Sequence, residues 1–96
     1  MAIGVIARLR VHPGKGGEFE AAFARQAEAV RQNEPGNRLY RLCRSREDPN
    51  GYIVMEIYDS DGDLAAHRES AHMVANRPVM APLVAERLGV EIYDAV

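Results

Sequence analysis

The sequence contains no tryptophan, one cysteine and one lysine among its 96 residues. The single cysteine, Cys43, excludes an intramolecular disulfide and a cysteine-based zinc cluster, so a reduced, cytoplasmic setting is the default expectation. No apolar run is long enough to cross a bilayer, because Arg8 interrupts the first one, and no basic leader typical of a signal peptide precedes it. The net charge of −2 gives no general electrostatic reason to bind nucleic acid or a membrane.

The composition that remains is that of a small globular protein. Hydrophobic residues make up 47% of the chain and charged residues 27%. A length of 96 residues predicts a single domain, 1–96. A chain of this size buries only about 60–65% of its unfolded surface, so association with a partner would add to its stability.

Four stretches have the pattern of β-strands. Residues 2–12 alternate, and one apolar face is formed by Ile3, Val5, Ala7, Leu9 and Val11. Residues 52–59 divide into one face with Ile53, Met55 and Ile57 and another with Tyr52, Val54, Glu56 and Tyr58. Residues 38–46 precede the turn sequence EDPNG, which predicts a hairpin with 52–59. Residues 89–96 form the predicted fourth strand.

Two regions have helical periodicity. Residues 17–34 repeat core residues at i, i+3, i+4 and i+7, and the sequence EPGN ends the helix. A second helical region covers 61–88 and is expected to break near Ser70, whose hydroxyl can cap a helix that begins at Ala71. Pro78 and Pro82 predict that its later part consists of two short pieces.

The predicted order of strand, helix, strand, strand, helix, strand is the ferredoxin-like βαββαβ pattern, an α+β fold with an antiparallel four-stranded sheet. Both helices can lie on one face of such a sheet, which leaves the other face bare. Because apolar residues occur on both faces of the strands, we expect a second copy of the chain to pack sheet to sheet in a symmetric homodimer.

Four segments follow one another along the chain: VIARLRVHPGKGGEFEAAF at 5–23 and, later, EPGN, LYRL and DPNGYIVMEIYDSDGDLAAHRESAHM. The most distinctive part runs from Tyr58 to His72 and contains L-x-x-H-x-x-S-x-H. In this order, and over about the whole chain, they resemble the antibiotic biosynthesis monooxygenase domain. The resemblance implies a dimeric α+β barrel of two ferredoxin-like subunits. Similar proteins include cofactor-free monooxygenases of aromatic phenols, anthrones and quinols, haem-degrading enzymes, and enzymes acting on small phosphorylated signalling molecules.

His67 and His72 are the first candidates for catalysis. In one continuous helix they would point about 140° apart and would not face the same ligand. A metal-binding pair needs i, i+3 or i+4 spacing, and no acidic triad completes a coordination shell nearby, so no metal is expected. A break at Ser70 would instead let both imidazoles line the gap between helices and sheet, which the resemblance implies is the pocket. Structural roles, as a helix cap for His67 and a hydrogen bonder at the subunit seam for His72, are the alternatives.

Tyr58 is the third catalytic candidate, and Arg77 and Asn76 are candidates for binding a substrate near the histidines. The hydroxyl of Tyr58 could hydrogen-bond a phenolic oxygen, or Tyr58 could simply fill the core with its polar tip near solvent. Arg77 could hold a phenolate and Asn76 lies beside it, although an exposed helix arginine is the simpler interpretation of Arg77.

The first predicted strand carries two charged side chains, Arg8 and Arg10, whose surroundings have to be explained. Arg8 and Arg10 must point at the pocket, the dimer seam or water, and Arg8 is a candidate substrate-binding residue. Strand alternation predicts that one of the two pairs across the sheet with Glu56 or Glu91.

Haem is disfavoured as a cofactor. The haem-degrading relatives that the chain resembles use an asparagine on the first strand, a tryptophan after the third and a histidine ligand in the later helix. In this sequence the tryptophan position falls on Tyr58 and the ligand position on Arg77. The chain also has no flavin or nucleotide motif, so we expect no cofactor.

Three functions stay open. The first is a cofactor-independent monooxygenase that oxidises a small aromatic substrate (a quinol, an anthrone or another phenol) with O2, with His67 as base or orienter and Tyr58, His72 and Arg77 as hydrogen-bond partners. The second is a non-oxidative isomerase or lyase whose arginines bind a phosphate or carboxylate of a small metabolite. The third is a ligand-binding dimer without catalysis.

Overall fold

Four strands and three helices build the protein, and a computed structural model describes residues 1–96. The elements in chain order are β1 (Ile3–Val11), α1 (Gly16–Asn33), β2 (Asn37–Arg44), β3 (Gly51–Tyr58), α2 (Asp61–Glu69), α3 (Ala71–Met80), a 3-10 turn (Ala81–Leu83) and β4 (Val84–Asp94). The strands pair antiparallel in the order β2-β3-β1-β4. The predicted ferredoxin-like α+β fold is confirmed. None of the helices has the length and apolar character needed to cross a membrane.

The two central strands bury alternate residues against the helices. In β3, Tyr52, Val54 and Tyr58 are buried, whereas Met55 between them is 37% exposed. In β1 the buried positions are Ile3, Val5, Leu9 and Val11, as the alternation predicted. This period of two assigns one face of the sheet to the core and the other to solvent or a partner.

The core lies between this face and the helices. Its larger cluster joins residues of β1, α1, β3 and the 3-10 turn, namely Leu9, Val11, Phe19, Phe23, Ala27, Tyr52, Val54 and Leu83. A smaller cluster connects α2 to the other end of the sheet through Ile3, Val5, Tyr58 and Leu64. The helix α1 is thus held along its length by apolar burial, the main favourable term in folding.

The end of the chain differs from its prediction in two ways. The strand β4 begins at Val84, whereas the sequence predicted helix up to Leu88, because Val84 pairs with Val11 and lengthens the contact with β1. Two register shifts along β1 accommodate this pairing. Pro78 lies inside α3 and does not end it. The helix continues past Pro78 because the amide of Ala81 donates to the carbonyl of Arg77.

One side of the sheet carries no helix, and β4 is exposed along almost its whole length. Val90, Ile92 and Tyr93 of β4 are each between 52% and 54% exposed. Tyr93 shares the helix-free face with Met55, whereas Val90 and Ile92 pair with Ala7 and Val5 and lie on the helix side of the sheet. Apolar surface of β4 is thus in contact with solvent on both faces. Such surface on a small protein marks a site of association.

Truncation of the core should destabilise the fold strongly. Phe19 is 1% exposed and packs on Tyr52 with ring centroids 5.3 Å apart, so we expect Phe19→Ala to lower the free energy of unfolding by about 3–5 kcal/mol. The measurement is urea unfolding at a fixed protein concentration. The control is Val79→Ala, at a position 49% exposed on α3, which should cost less than about 0.5 kcal/mol. Equal losses for the two variants would contradict this account of the core.

Candidate active site

A cavity of about 330 Å³ lies between the helices and the covered face of the sheet. Twelve of its 18 lining residues are hydrophobic, and they come from every strand and every α-helix. The polar lining residues are Gln26, Glu56, His67, Arg68, Arg77 and Arg87. A mostly apolar cavity with a few convergent polar groups is the usual form of a small-molecule site.

His67 occupies the last turn of α2 and is 3% exposed. Its Nδ1 lies 2.9 Å from both carboxylate oxygens of Glu34, the residue that directly follows α1. A carboxylate at this distance favours the tautomer with the proton on Nδ1, which leaves Nε2 as the acceptor nitrogen of the neutral ring. The rings of Tyr40 and Tyr58 pack against the imidazole, at centroid distances of 5.2 and 5.3 Å. His67 therefore has a fixed orientation and a free nitrogen.

Glu34 also binds the second histidine. Its Oε2 lies 2.5 Å from Nε2 of His72, so one carboxylate joins two imidazoles that are five residues apart in sequence. The two histidines face a common group because the helix is broken at Ser70, which the sequence offered as the alternative to one continuous helix. The acidic residue that lies between them, Glu34, was not expected. The expectation that both would line the pocket is half right, because His67 lines the cavity and His72 does not.

The break at Ser70 makes this convergence possible. Ser70 has an extended backbone between α2 and α3, and its hydroxyl accepts from the amide of Met73 at the start of α3, as the sequence predicted. The same hydroxyl donates to the carbonyl of His67 at 2.7 Å and lies 3.1 Å from Nε2 of His72. One side chain thus caps both helices and sets the angle at which the imidazoles approach Glu34.

Glu34, His67 and His72 are the one group of three side chains placed to hold a metal ion. Their ligand atoms all lie within 4.8 Å of one another, and two imidazoles with a carboxylate are donors that zinc accepts. In the structure each imidazole nitrogen near Glu34 already has the carboxylate as its hydrogen-bond partner. The cluster is therefore satisfied as a hydrogen-bonded unit.

A second carboxylate, Glu56, lies on the other side of His67. Its Oε1 is 3.9 Å from Nε2 of His67 and accepts a hydrogen bond of 2.6 Å from the hydroxyl of Tyr58. Burial raises the pKa of Glu56, while the Tyr58 hydroxyl, His67 and Arg68 oppose that rise. Tyr58 itself is fully buried and does not line the cavity. Its hydroxyl therefore donates to Glu56 and does not contact a substrate in the cavity.

A polar chain crosses the cavity from α3 to β2. Asn76 donates to Oε1 of Gln26 at 2.7 Å, and Nε2 of Gln26 donates to the hydroxyl of Tyr40 at 2.5 Å. Asn76 does not line the cavity, whereas Gln26 and Tyr40 do. Because the Tyr40 oxygen accepts from Gln26, its own proton is free to point elsewhere. Burial raises the pKa of Tyr40, so this hydroxyl stays protonated and can donate.

The two candidate arginines have different locations. Arg77 lines the cavity, and its guanidinium donates to the backbone carbonyl of Arg68. Arg8 lies on the helix-free face, where it pairs with Glu91 at 3.1 Å. The predicted cross-sheet pairing is confirmed for Glu91, and the structure does not bring Arg8 to the cavity.

Sequence reasoning missed four polar residues of this site: Gln26, Glu34, Tyr40 and Glu56. Two of them carried a signal. Gln26 is the one polar side chain in the apolar repeat of α1, and Glu56 is the one charge on the buried face of β3. A polar residue at a core position indicates a required hydrogen bond.

Comparison with known proteins gives consistent matches. The family model described as antibiotic biosynthesis monooxygenase matches residues 2–77. A candidate antibiotic biosynthesis monooxygenase from Caulobacter crescentus CB15 is 39% identical with a TM-score of 0.95, and the match covers 99% of this chain and 90% of that chain. Another candidate, from Nitrosomonas europaea, is 30% identical with a TM-score of 0.92 and the same coverage of the two chains. No match is found among curated proteins.

Glu56 should make stability depend on pH. An acid whose pKa is higher in the folded chain binds its proton more tightly there, so stability falls as the pH rises from the ordinary value of 4.5 through the folded pKa. Glu56→Gln keeps the acceptor for Tyr58 and removes the charge. We expect the stability of Glu56→Gln relative to wild type to increase over this window and then level off.

Chemical unfolding of both proteins between pH 4 and pH 8 measures this difference. Glu69→Gln, which removes an exposed carboxylate at the end of α2, controls for the loss of a surface charge. A relative stability of Glu56→Gln that stays constant with pH would show that burial does not perturb this carboxyl.

Proposed function

Because the chain belongs to the antibiotic biosynthesis monooxygenase family, we propose that it oxidises a quinol, an anthrone or a related phenol with O2 and without a bound cofactor. The observation that carries the proposal is a buried imidazole, oriented by a carboxylate, at the wall of a mainly apolar cavity. The volume of about 330 Å³ is at the small end of the range for ligand sites and suits a compact aromatic molecule.

His67 is the proposed general base. Its Nε2 is free to accept a proton, and Glu34 at Nδ1 stabilises the imidazolium that forms. The order carboxylate, imidazole, substrate hydroxyl is the arrangement by which a carboxylate fixes the tautomer of a catalytic histidine. Removal of the phenolic proton creates an electron-rich phenolate, which can pass an electron to O2.

All the electrons needed to reduce O2 then come from the substrate. The phenolate loses one electron to O2, and the resulting radical pair joins through a new carbon–oxygen bond to give a peroxide. Cleavage of the oxygen–oxygen bond leaves one oxygen on the ring carbon, and the other leaves as water with two substrate hydrogens. The substrate is the only reductant, so a hydroquinone yields a hydroxyquinone and an anthrone yields an anthraquinone.

Two groups support the developing negative charge on the substrate oxygen. The hydroxyl of Tyr40 is kept protonated and is held by Gln26, and Arg77 contributes a fixed positive charge at the same cavity. Donors that are oriented before the reaction stabilise charge without reorganisation, which is the main source of electrostatic catalysis. His72, Tyr58 and Asn76 act as positioning residues through Glu34, Glu56 and Gln26, respectively.

The working unit that we propose is a homodimer. The helix-free face presents an apolar stripe on two neighbouring strands, with Leu39 and Cys43 on β2 and Ile53, Met55 and Ile57 on β3. One charged residue, Arg41 of β2, lies in this stripe opposite Met55. Ion pairs of Arg8 with Glu91 and of Arg10 with Glu86 border the stripe on β1 and β4. Sheet-to-sheet packing of two copies would cover this apolar stripe and use the same surface on both.

Oxygen uptake tests the catalytic proposal. With a panel of hydroquinones and anthrones, His67→Gln should lower kcat by about 10²–10⁴-fold because the base is lost. Glu34→Gln should lower it by about tenfold or more, because a neutral amide can hold the wrong tautomer of His67. The measurement is an oxygen electrode trace together with product analysis.

The matched control is His12→Gln, which removes an exposed histidine in the turn after β1 and should leave the rate unchanged. Equal rates for His67→Gln and wild type would remove His67 from the chemistry. The absence of oxygen uptake across the panel, with turnover or tight binding of a non-aromatic metabolite, would favour an isomerase, a lyase or a binding protein.

Sedimentation tests the homodimer. We expect wild type at micromolar concentration to sediment as two chains of 10.6 kDa each. Met55→Lys places a second positive charge beside Arg41 in the middle of the apolar stripe and should shift the protein towards monomer. Ala21→Lys, at an exposed position of α1, is the control and should leave the dimer intact. A wild-type protein that sediments as a single chain would refute the dimer.

A further inference from the structure

We propose that the aromatic substrate carries an anionic substituent, a carboxylate, which Arg68 and Arg87 bind at the wall of the cavity. The inference rests on the proposed function for the oxidisable ring, but it concerns binding and can be tested without turnover. It follows from three features of the arginines: their lack of ion-pair partners, their convergence on one cavity, and the charge balance there.

The first feature is the absence of partners. Five of the 11 arginines of the chain form ion pairs, for example Arg8 with Glu91 and Arg38 with Asp59. The other six form none, and three of these exposed side chains line the same cavity, namely Arg68, Arg77 and Arg87. The charge of Arg77 is already used in the proposed stabilisation of the phenolate. Arg68 and Arg87 remain without an ion-pair partner, although the charge of Arg68 acts on Glu56 from a longer distance.

The second feature is that the two groups come from different elements. Arg68 lies in the last turn of α2, beside His67. Arg87 lies on β4 opposite Leu9, and the side chain of Leu9 points to the covered side of the sheet. The proposed dimer uses the other side, on which Glu91 and Tyr93 lie. Two unrelated elements thus direct cations at one ligand space.

The third feature is the charge balance of the cavity. Glu56 is the only acidic lining residue, and three arginines line the same space. Glu56 is buried, and its oxygen accepts from Tyr58 and not from a guanidinium. The cavity therefore carries an excess of positive charge beside a mainly apolar wall, so a ligand with one apolar ring and one anionic group would complement both. Guanidinium groups bind carboxylates through paired N–H donors.

The probes are three molecules that differ at one position. They are 2,5-dihydroxybenzoate, its neutral amide 2,5-dihydroxybenzamide, and unsubstituted hydroquinone. Their binding is measured by titration calorimetry under nitrogen, so that no oxidation takes place. We expect the benzoate to bind about tenfold more tightly than the amide at low salt, with a difference that shrinks as salt screens the charges.

The variants assign the effect to the two arginines. Arg68→Gln and Arg87→Gln should each reduce the preference for benzoate over amide by severalfold, and the double variant should abolish it. Arg25→Gln is the matched control, because Arg25 is an exposed arginine of α1 that lies outside the cavity and has no ion pair. It should keep the full preference.

Each outcome separates this inference from the proposed function. Equal affinities for benzoate and amide, or a preference that survives the double variant, would overturn the anionic subsite even if hydroquinone consumes oxygen in a reaction that needs His67. A preference lost only in Arg68 and Arg87 variants would support the subsite even if no oxygen is consumed. A fourth molecule, 4-hydroxyphenyl phosphate, is titrated in the same way to distinguish the two anionic groups. If it binds more tightly than the benzoate, the carboxylate is overturned and a phosphate ester is the anionic group.

Discussion

The carboxylate of Glu34 is the contact on which the arrangement of the site depends. It lies at the end of α1 and accepts from one imidazole in α2 and another in α3, so three helices meet at a single charged group. Its side chain is only 10% exposed, and a buried charge of this kind is costly without partners. The two histidines supply those partners, and the Ser70 hydroxyl between α2 and α3 keeps them in place.

The sheet divides the tasks of the protein between its two faces. The covered face of β1 and β3 forms the core and the cavity wall, and the helix-free face carries the apolar stripe and the Arg8–Glu91 pair. Because side chains alternate along a strand, a polar residue placed one position earlier or later would lie on the opposite face of the sheet. This explains why Glu56 can lie in the site while its neighbour Met55 lies on the opposite surface.

Local patterns predicted most of the fold, whereas the site depends on contacts that are distant in sequence. The alternation in β1 and β3 was sufficient to predict which residues are buried, and the Ser70 hydroxyl was sufficient to predict the start of α3. Both signals act within a few residues of the chain. Glu34 escaped prediction because it is 33 residues from His67, and the EPGN sequence has a simple explanation as a helix end. The start of β4 escaped because pairing with β1 overrides the helical preference of the segment before Leu88.

The same sequence separation links the site to the folding of the chain. Glu34 and His67 belong to segments on either side of the β2-β3 hairpin, so the ends of a 33-residue loop must close before they meet. A chain that has formed α1 alone, or α2 alone, has an unpaired carboxylate and unpaired imidazoles. The carboxylate–imidazole pair therefore cannot exist before both segments have met, and a chain in which they are still apart contains no oriented histidine.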